Sequence, residues 1–315
     1  MRTWGFIGYA VMSYVAATVL AGCDMQRPIA GGSALPQSRA SEAHAGDLLY
    51  VSDAKSDEVY VYRLRDLKLS GTLTGFSSPA GECSDRRGNV WITDTDTARV
   101  VEYAHGGTSP ISILSDSNAY PLSCSVDPSS GNLAVTNVFT VSGKQGSVAI
   151  YKGASGSPAL YQDSSMQYVY FCGYDDNGNL YVDGQSSSGA FAFAELPMGS
   201  TAFVNIALNA PIAFPGSVQW DGHHMTTKPQ EPTDNVIYRL KISGSTGSII
   251  GKTRLKPSSC LPVQTWIAGG RIASSCPDAS GSTIDVWRYP NGGRPTKSGP
   301  GSGEPDGTTI SLAPR

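Results

Sequence analysis

The sequence predicts an all-β protein, a six-bladed β-propeller whose blades each hold four antiparallel strands and whose ring is closed by the C-terminal strand. Three observations predict it. A hairpin unit recurs, as Pro79–Asp94 (PAGECSDRRGNVWITD), Pro121–Asn137 (PLSCSVDPSSGNLAVTN) and Tyr170–Asp183 (YFCGYDDNGNLYVD). The turn glycines Gly46, Gly88, Gly131, Gly178, Gly222 and Gly269 are 42, 43, 47, 44 and 47 residues apart, the length that four short strands and their turns need. The first copy begins at its second strand, and the chain finishes on an alternating segment, Thr308–Leu312, that can supply the missing innermost strand. Such closure hides strand edges that would otherwise pair with other chains.

At the N-terminus, Met1–Gly22 reads as a targeting segment. Arg2 is the one charge before Trp4–Leu20, an apolar run of 17 residues, which is short for a spanning helix. Its end, Leu20-Ala21-Gly22-Cys23, resembles the bacterial lipobox. The resemblance implies cleavage before Cys23, a lipid on the Cys23 sulfur, and an exported protein lipid-anchored to the bacterial cell envelope. Residues 23–45 then hold the lipidated cysteine and a flexible tether: Asp24–Ala45 has no periodicity and is rich in Ala, Ser, Gly and Pro. The propeller domain is expected over residues 46–315.

Within that domain the turn chemistry marks the copies. In Asp127-Pro128-Ser129-Ser130-Gly131-Asn132, Gly and Asn tolerate positive φ at little cost. Copy one runs through Asp47–Asp53, Glu58–Leu64 and Leu67–Gly75. Copy five, Pro215–Thr227, carries a weaker pattern, and copy six spans Cys260–Cys276. Alternating third strands follow the hairpins, for example at Val100–Gly107, Val148–Gly153 and Ile284–Gly293, and Lys297–Gly307 reads as a loop. The Asp-x-x-Gly-Asn units, clearest at Asp85–Asp94 and Asp175–Asp183, resemble those of the NHL-repeat six-bladed propellers. That resemblance covers about Gly46 to Leu312 and implies a fold rather than an activity, because such rings host lyases, lactonases, sensors and scaffolds.

Composition narrows the partners. A net charge of −3 with 16% charged residues gives no basic surface for nucleic acid. Candidate chemistry lies at two places. The second strands end on Asp53, Asp94, Asn137 and Asp183, with Thr227 and Ser274 nearby. These residues are either turn caps or a ring of metal-binding oxygens. The innermost strands carry Glu82, Ser123, Cys124, Phe171, Ser217 and Gln264, a small and nearly neutral set. Gluconolactonase and paraoxonase propellers hold Ca²⁺ with acidic and amide side chains around the channel. The corresponding set here would be Glu82, Asn137 and Asp183, with calcium as the possible cofactor. No catalytic residues assemble from the sequence: G-x-S-x-G is absent and histidine is scarce.

The cysteines divide. If the last hairpin pairs symmetrically about Ala268, Cys260 and Cys276 face each other and form a disulfide. Cys83, Cys124 and Cys172 read as small packed hydrophobes. The function expected is a non-catalytic binding or scaffolding module that engages an envelope protein, peptide or glycan; the other reading is a calcium-dependent lactonase or lyase.

Overall fold

The computed structural model describes residues 37–39, 46–117, 119–231, 234–257, 260–278, 281–301 and 303–314. The targeting segment, Cys23 and most of the tether lie outside the described residues. Six antiparallel sheets of four strands form the ring; in the first the innermost strand comes from the end of the chain, and in the other five the strands run from inner to outer in chain order. Blade one holds Pro305–Ser311, Leu48–Asp53, Glu58–Arg63 and Lys68–Thr74. Blade two is Pro79–Ser84, Val90–Asp94, Arg99–Tyr103 and Pro110–Ser115, and blade three is Ala119–Val126, Leu133–Thr140, Ser147–Tyr151 and Ala159–Tyr161. Blade four runs from Tyr168–Tyr174 through Leu180–Gln185 and Phe191–Leu196 to Val204–Asn205. Blade five is complete, with Gly216–Trp220, Met225–Pro229, Val236–Ser243 and Thr246–Arg254, and Ala207–Leu208 adds a parallel strand at its edge. Blade six is Thr265–Ala268, Arg271–Asp278, Gly281–Arg288 and Lys297–Pro300. Its outer strand occupies part of the segment expected to be a loop. Three residues of the expected tether, Gln37–Arg39, lie antiparallel to Lys68–Thr74.

Closure occurs as the phase of the repeat requires. Pro305–Ser311 pairs antiparallel with Leu48–Asp53, from Leu48 opposite Ser311 to Asp53 opposite Pro305. The second strands are buried over most of their length, and LLYVSD and LYVDGQ over all of it, because each is covered by a blade on either face. The hydrophobic core is therefore a set of layers between blades. Tyr50 and Val59 meet Ile92 and Tyr103 between blades one and two. Val100 and Leu114 meet Val135 and Tyr151 between two and three. Leu49 and Ile310 meet Ala273 and Val286 where the ring closes. Toward the axis the inner strands approach so closely that a Cβ on Gly173 would stand 2.7 Å from the Val218 carbonyl oxygen, so only glycine fits there.

The repeated turn is held by its aspartate. Asp85 Oδ1 accepts the backbone N–H groups of Arg87 and Asn89, each at 2.8 Å, and Oδ2 accepts the Asn89 amide at 3.1 Å. Asp175 does the same with Asn177 and Asn179, all at 2.9 Å. Gly88, Gly131 and Gly178 sit at φ of 85°, 71° and 81°, conformations that side chains resist. Asp175-Asp176-Asn177-Gly178-Asn179 is thus a self-satisfied turn.

Two disulfides form. Cys260 is bonded to Cys276 as expected, but by a different geometry. The hairpin pairs Ala268 with Arg271 and Thr265 with Ser274, so its centre lies between Gly269 and Gly270, whose φ values of 56° and 71° suit a two-residue turn. Cys260 precedes the strand and reaches Cys276 from the incoming loop. The second bond, Cys83–Cys124, joins the inner strands of blades two and three across a Cα separation of 5.6 Å. The reading of these two as packed thiols is corrected. The reason is a register offset: counted back from the turn pairs Ser84–Val90, Val126–Leu133 and Tyr174–Leu180, Cys83 matches Ser125, whereas Glu82 matches Cys124 and Cys172. Adjacent strand positions point to opposite faces, so Cys83 faces forward onto the Cys124 that faces back.

Cys172, buried and free, therefore faces Ser125, and the Ser125 hydroxyl accepts the N–H of Tyr174 at 3.0 Å. Ser125→Cys is expected to form a third disulfide with Cys172. Thiol titration of the denatured, unreduced variant checks it: the Cys172 thiol should vanish from the count, whereas a gain of one thiol refutes the facing geometry.

Candidate functional site

The strand-end residues bind the blades together. Asp183, fully buried, accepts the Phe171 N–H at 2.9 Å and the Gly216 N–H at 2.8 Å, tying the inner strands of blades four and five. The ladder of blade four is irregular between Val169 and Cys172, and Asp183 satisfies an amide that this bulge leaves unpaired. Burial pushes its carboxyl well up, and the two N–H groups act in the opposite direction. Asp94 accepts the Ser77 N–H at 2.7 Å and forms a 2.7 Å ion pair with Arg99. Asp53 Oδ1 accepts from Lys55 and Ser56 in its own turn and from Glu304 beside the closing strand. Asn137 donates to the Ser147 hydroxyl at 3.4 Å, and its Oδ1 is buried without a partner.

Glu82 stands apart from these. It is fully buried, and neither carboxyl oxygen makes a hydrogen bond of good geometry. Counted from Pro305 opposite Asp53, as Pro79 is opposite Asp94, Thr309 holds the position of Cys83, so Glu82 faces Thr309 as Cys124 faces Cys83. The Thr309 hydroxyl is likewise without a partner. Burial drives the Glu82 carboxyl well above the ordinary range, with the Thr309 backbone N–H as the one opposing influence. Glu82, Asn137 and Asp183 thus have separate surroundings in three blades. Among the described residues no three His, Cys, Asp or Glu side chains are placed to hold a metal ion.

The axis itself is crossed by glutamines. Gln264 Oε1 accepts the N–H of Glu82 and of Thr308, both at 2.9 Å, while its Nε2 donates to the Glu82 carbonyl at 2.8 Å. Gln219 clasps Ile267 in the same way, at 2.7 Å for both bonds. Each amide copies a peptide group and serves as a short surrogate strand between inner strands that do not pair directly.

Above these clasps, on the face that carries the inner hairpin turns, a cavity of about 660 Å³ opens. Trp91, Tyr174, Trp220 and Trp266 line it, together with Arg86, Arg87, Glu102 and Asp176. Arg86 reaches from blade two to Asp176 of blade four, at 3.0 Å, and Asp176 also accepts the Trp220 indole N–H of blade five at 2.8 Å. Glu102 lies half-buried on the wall; burial first, then the Asp85 charge, raise its carboxyl to about 7, against the attraction of Arg87. The sequence reading missed this group. These members are scattered over four blades, and the usable signal was that residues just after each turn aspartate (Arg86, Arg87, Asp176) must share one face of a ring.

No protein-family model matches the sequence, and no curated protein matches it. Among solved structures the chain is similar to one described as a nidogen/laminin complex, at 12% identity over 86% of this chain and 100% of that chain, with a TM-score of 0.68. It is also similar to a catalytically inactive virginiamycin B lyase from Staphylococcus aureus with quinupristin, at 12% identity over 85% of this chain and 88% of that chain, with a TM-score of 0.53. At such identity the likeness shows the propeller fold.

Proposed function

We propose that this chain is an exported protein, lipid-anchored through Cys23 to the bacterial cell envelope, whose propeller is a non-catalytic binding module. Its ligand seat in this reading is the cavity on the hairpin-turn face. The observation that carries the proposal is the convergence of Trp220, Trp266 and Tyr174 with Arg87 and Glu102 around one opening of about 660 Å³, a size and composition suited to a ligand. The deeper acidic groups support it from the other side, since Asp183 spends both oxygens on backbone N–H groups. Two disulfides suit an oxidising compartment outside the cytosol. A calcium-dependent lactonase or lyase built on Glu82, Asn137 and Asp183 is the competing reading, and it would have to recruit oxygens that now face separate partners.

The test is a binding screen of envelope peptides and glycans read by tryptophan fluorescence, repeated with Trp220→Ala and Trp266→Ala. Each replacement is expected to weaken a retained ligand by about tenfold or more, as loss of an aromatic anchor does. Ligands that bind both variants as tightly as the parent would move the seat elsewhere, and a stoichiometric calcium ion whose removal abolishes turnover of a lactone would establish the enzyme instead.

A further inference from the structure

The cavity on the hairpin-turn face contains more acidic residues than free acidic groups. Asp85 is taken up by the amides of its own turn, and Asp127 by the amide and hydroxyl of Ser129 at 2.8 Å and by the Ser130 hydroxyl. Asp176 is held by Arg86 and Trp220, and Arg86 gives its other nitrogen to the Pro128 carbonyl at 3.3 Å. What remains for a ligand is the Arg87 guanidinium, which has no side-chain hydrogen bond or ion pair among the described residues, and the Glu102 carboxyl. The charged groups that face Glu102 are Asp85 and Arg87.

We infer, resting on the reading of this cavity as the ligand seat, that it takes an acidic oligosaccharide, with pyranose faces on Trp220 and Trp266 and a sugar carboxylate on Arg87. The apolar C–H face of a pyranose packs on an indole while its hydroxyls stay free for polar neighbours, and an indole presents that surface at low conformational cost. A planar guanidinium matches a carboxylate through two parallel N–H donors. A neutral sugar would leave the Arg87 fork with the attraction of Glu102 alone and no bidentate acceptor. A peptide would commonly dock by pairing with an open strand edge, but the Ile267 edge at this opening is already paired by the Gln219 amide. Glu102, whose carboxyl titrates at about 7, supplies an O–H donor to the sugar in its protonated form and repels the sugar carboxylate when ionised.

The experiment is calorimetric titration of the full chain, solubilised in detergent, with three probes: a (1→4)-linked hexauronate, the matching neutral hexasaccharide, and hexaglutamate. The hexauronate is expected to bind at least tenfold more tightly than either other probe, and about tenfold more tightly at pH 6 than at pH 8, the ratio of protonated Glu102 at the two values. Arg87→Met should remove the preference for the uronate, and Glu102→Gln should flatten the pH dependence. Equal binding of the neutral sugar, or tighter binding of hexaglutamate that is lost in Trp266→Ala, overturns the ligand class and leaves the seat standing. Hexauronate binding unchanged in Trp220→Ala and Trp266→Ala overturns the seat, and absence of hexauronate binding overturns the inference outright.

Discussion

Replacing Cys83 and Cys124 together by alanine is expected to destabilise the oxidised protein by about 4 kcal/mol, the chain-entropy value for a cross-link closing a loop of this length. The two residues are 41 apart in sequence, against 16 for Cys260 and Cys276, where the same relation gives about 3 kcal/mol. The pair is also placed where its loss is felt. Both sulfurs are buried in the layer that packs Trp91 and Val100 against Leu133 and Tyr151, so the bond closes one blade interface near the axis and cannot be replaced by solvent contacts. Denaturant titration with and without reductant measures the effect. The double variant should be insensitive to reduction at this interface, and its midpoint should fall close to that of the parent reduced at Cys83–Cys124. Equal midpoints for the oxidised parent and the variant would mean that the bond carries no stability.

Glu82→Gln is expected to act in the opposite direction. The folded chain holds the Glu82 proton well above the ordinary carboxylate range, whereas the unfolded chain releases it near pH 4.3. A raised folded value means that the folded state binds more protons across the interval above the unfolded value. Stability is therefore lost as pH rises through that interval, by up to about 1.4 kcal/mol per pH unit. Glutamine cannot ionise, so the variant keeps the acid-form stability. The two proteins should unfold alike near pH 4, and the variant should be the more stable by more than about 1.4 kcal/mol at pH 8. Asp116 and Asp306, also raised by burial, to about 6 and about 7, are common to both chains and cancel in the difference. Parallel stability curves between pH 5 and pH 8 would show that Glu82 is not a buried neutral acid. Added calcium gives the comparison a second use: an ion held by Glu82 would stabilise the parent above the variant and reverse the order.

How much of this was legible differs between the frame and the site. The hairpins could be read because each turn needs an aspartate that accepts its own amides and a glycine at positive φ, and both leave fixed spacings. The outer strands could not. Lys68–Thr74 is the exception, since it falls within the Leu67–Gly75 segment of the first copy; Val204–Asn205 spans 2 residues, both exposed, and Lys297–Pro300 spans 4 residues without one buried, too little to set either apart from a loop. The Cys83–Cys124 bond was within reach, since Cys83 stands two residues before its turn aspartate and Cys124 three before its own, and a one-residue offset in a period-two strand makes the two face each other. The ligand cavity was less accessible. Arg86 and Asp176 are 90 positions apart, and which way a side chain leans from a turn depends on the curvature of the ring rather than on local sequence.

The pairing of Leu48–Asp53 with Pro305–Ser311 also sets an order of events. A chain that is made or threaded from its N-terminus presents the edge of its first sheet long before the strand that covers it arrives, and about 250 residues must be in place before the gap can close. Loop closure over that distance is slow compared with forming a hairpin, so every intermediate is an open arc with two sticky ends. The last seven residues of strand thus act as an inspection point: a molecule cut short before Pro305 retains nearly all of its hairpins yet keeps an unpaired edge, and is recognisable as unfinished by that edge alone.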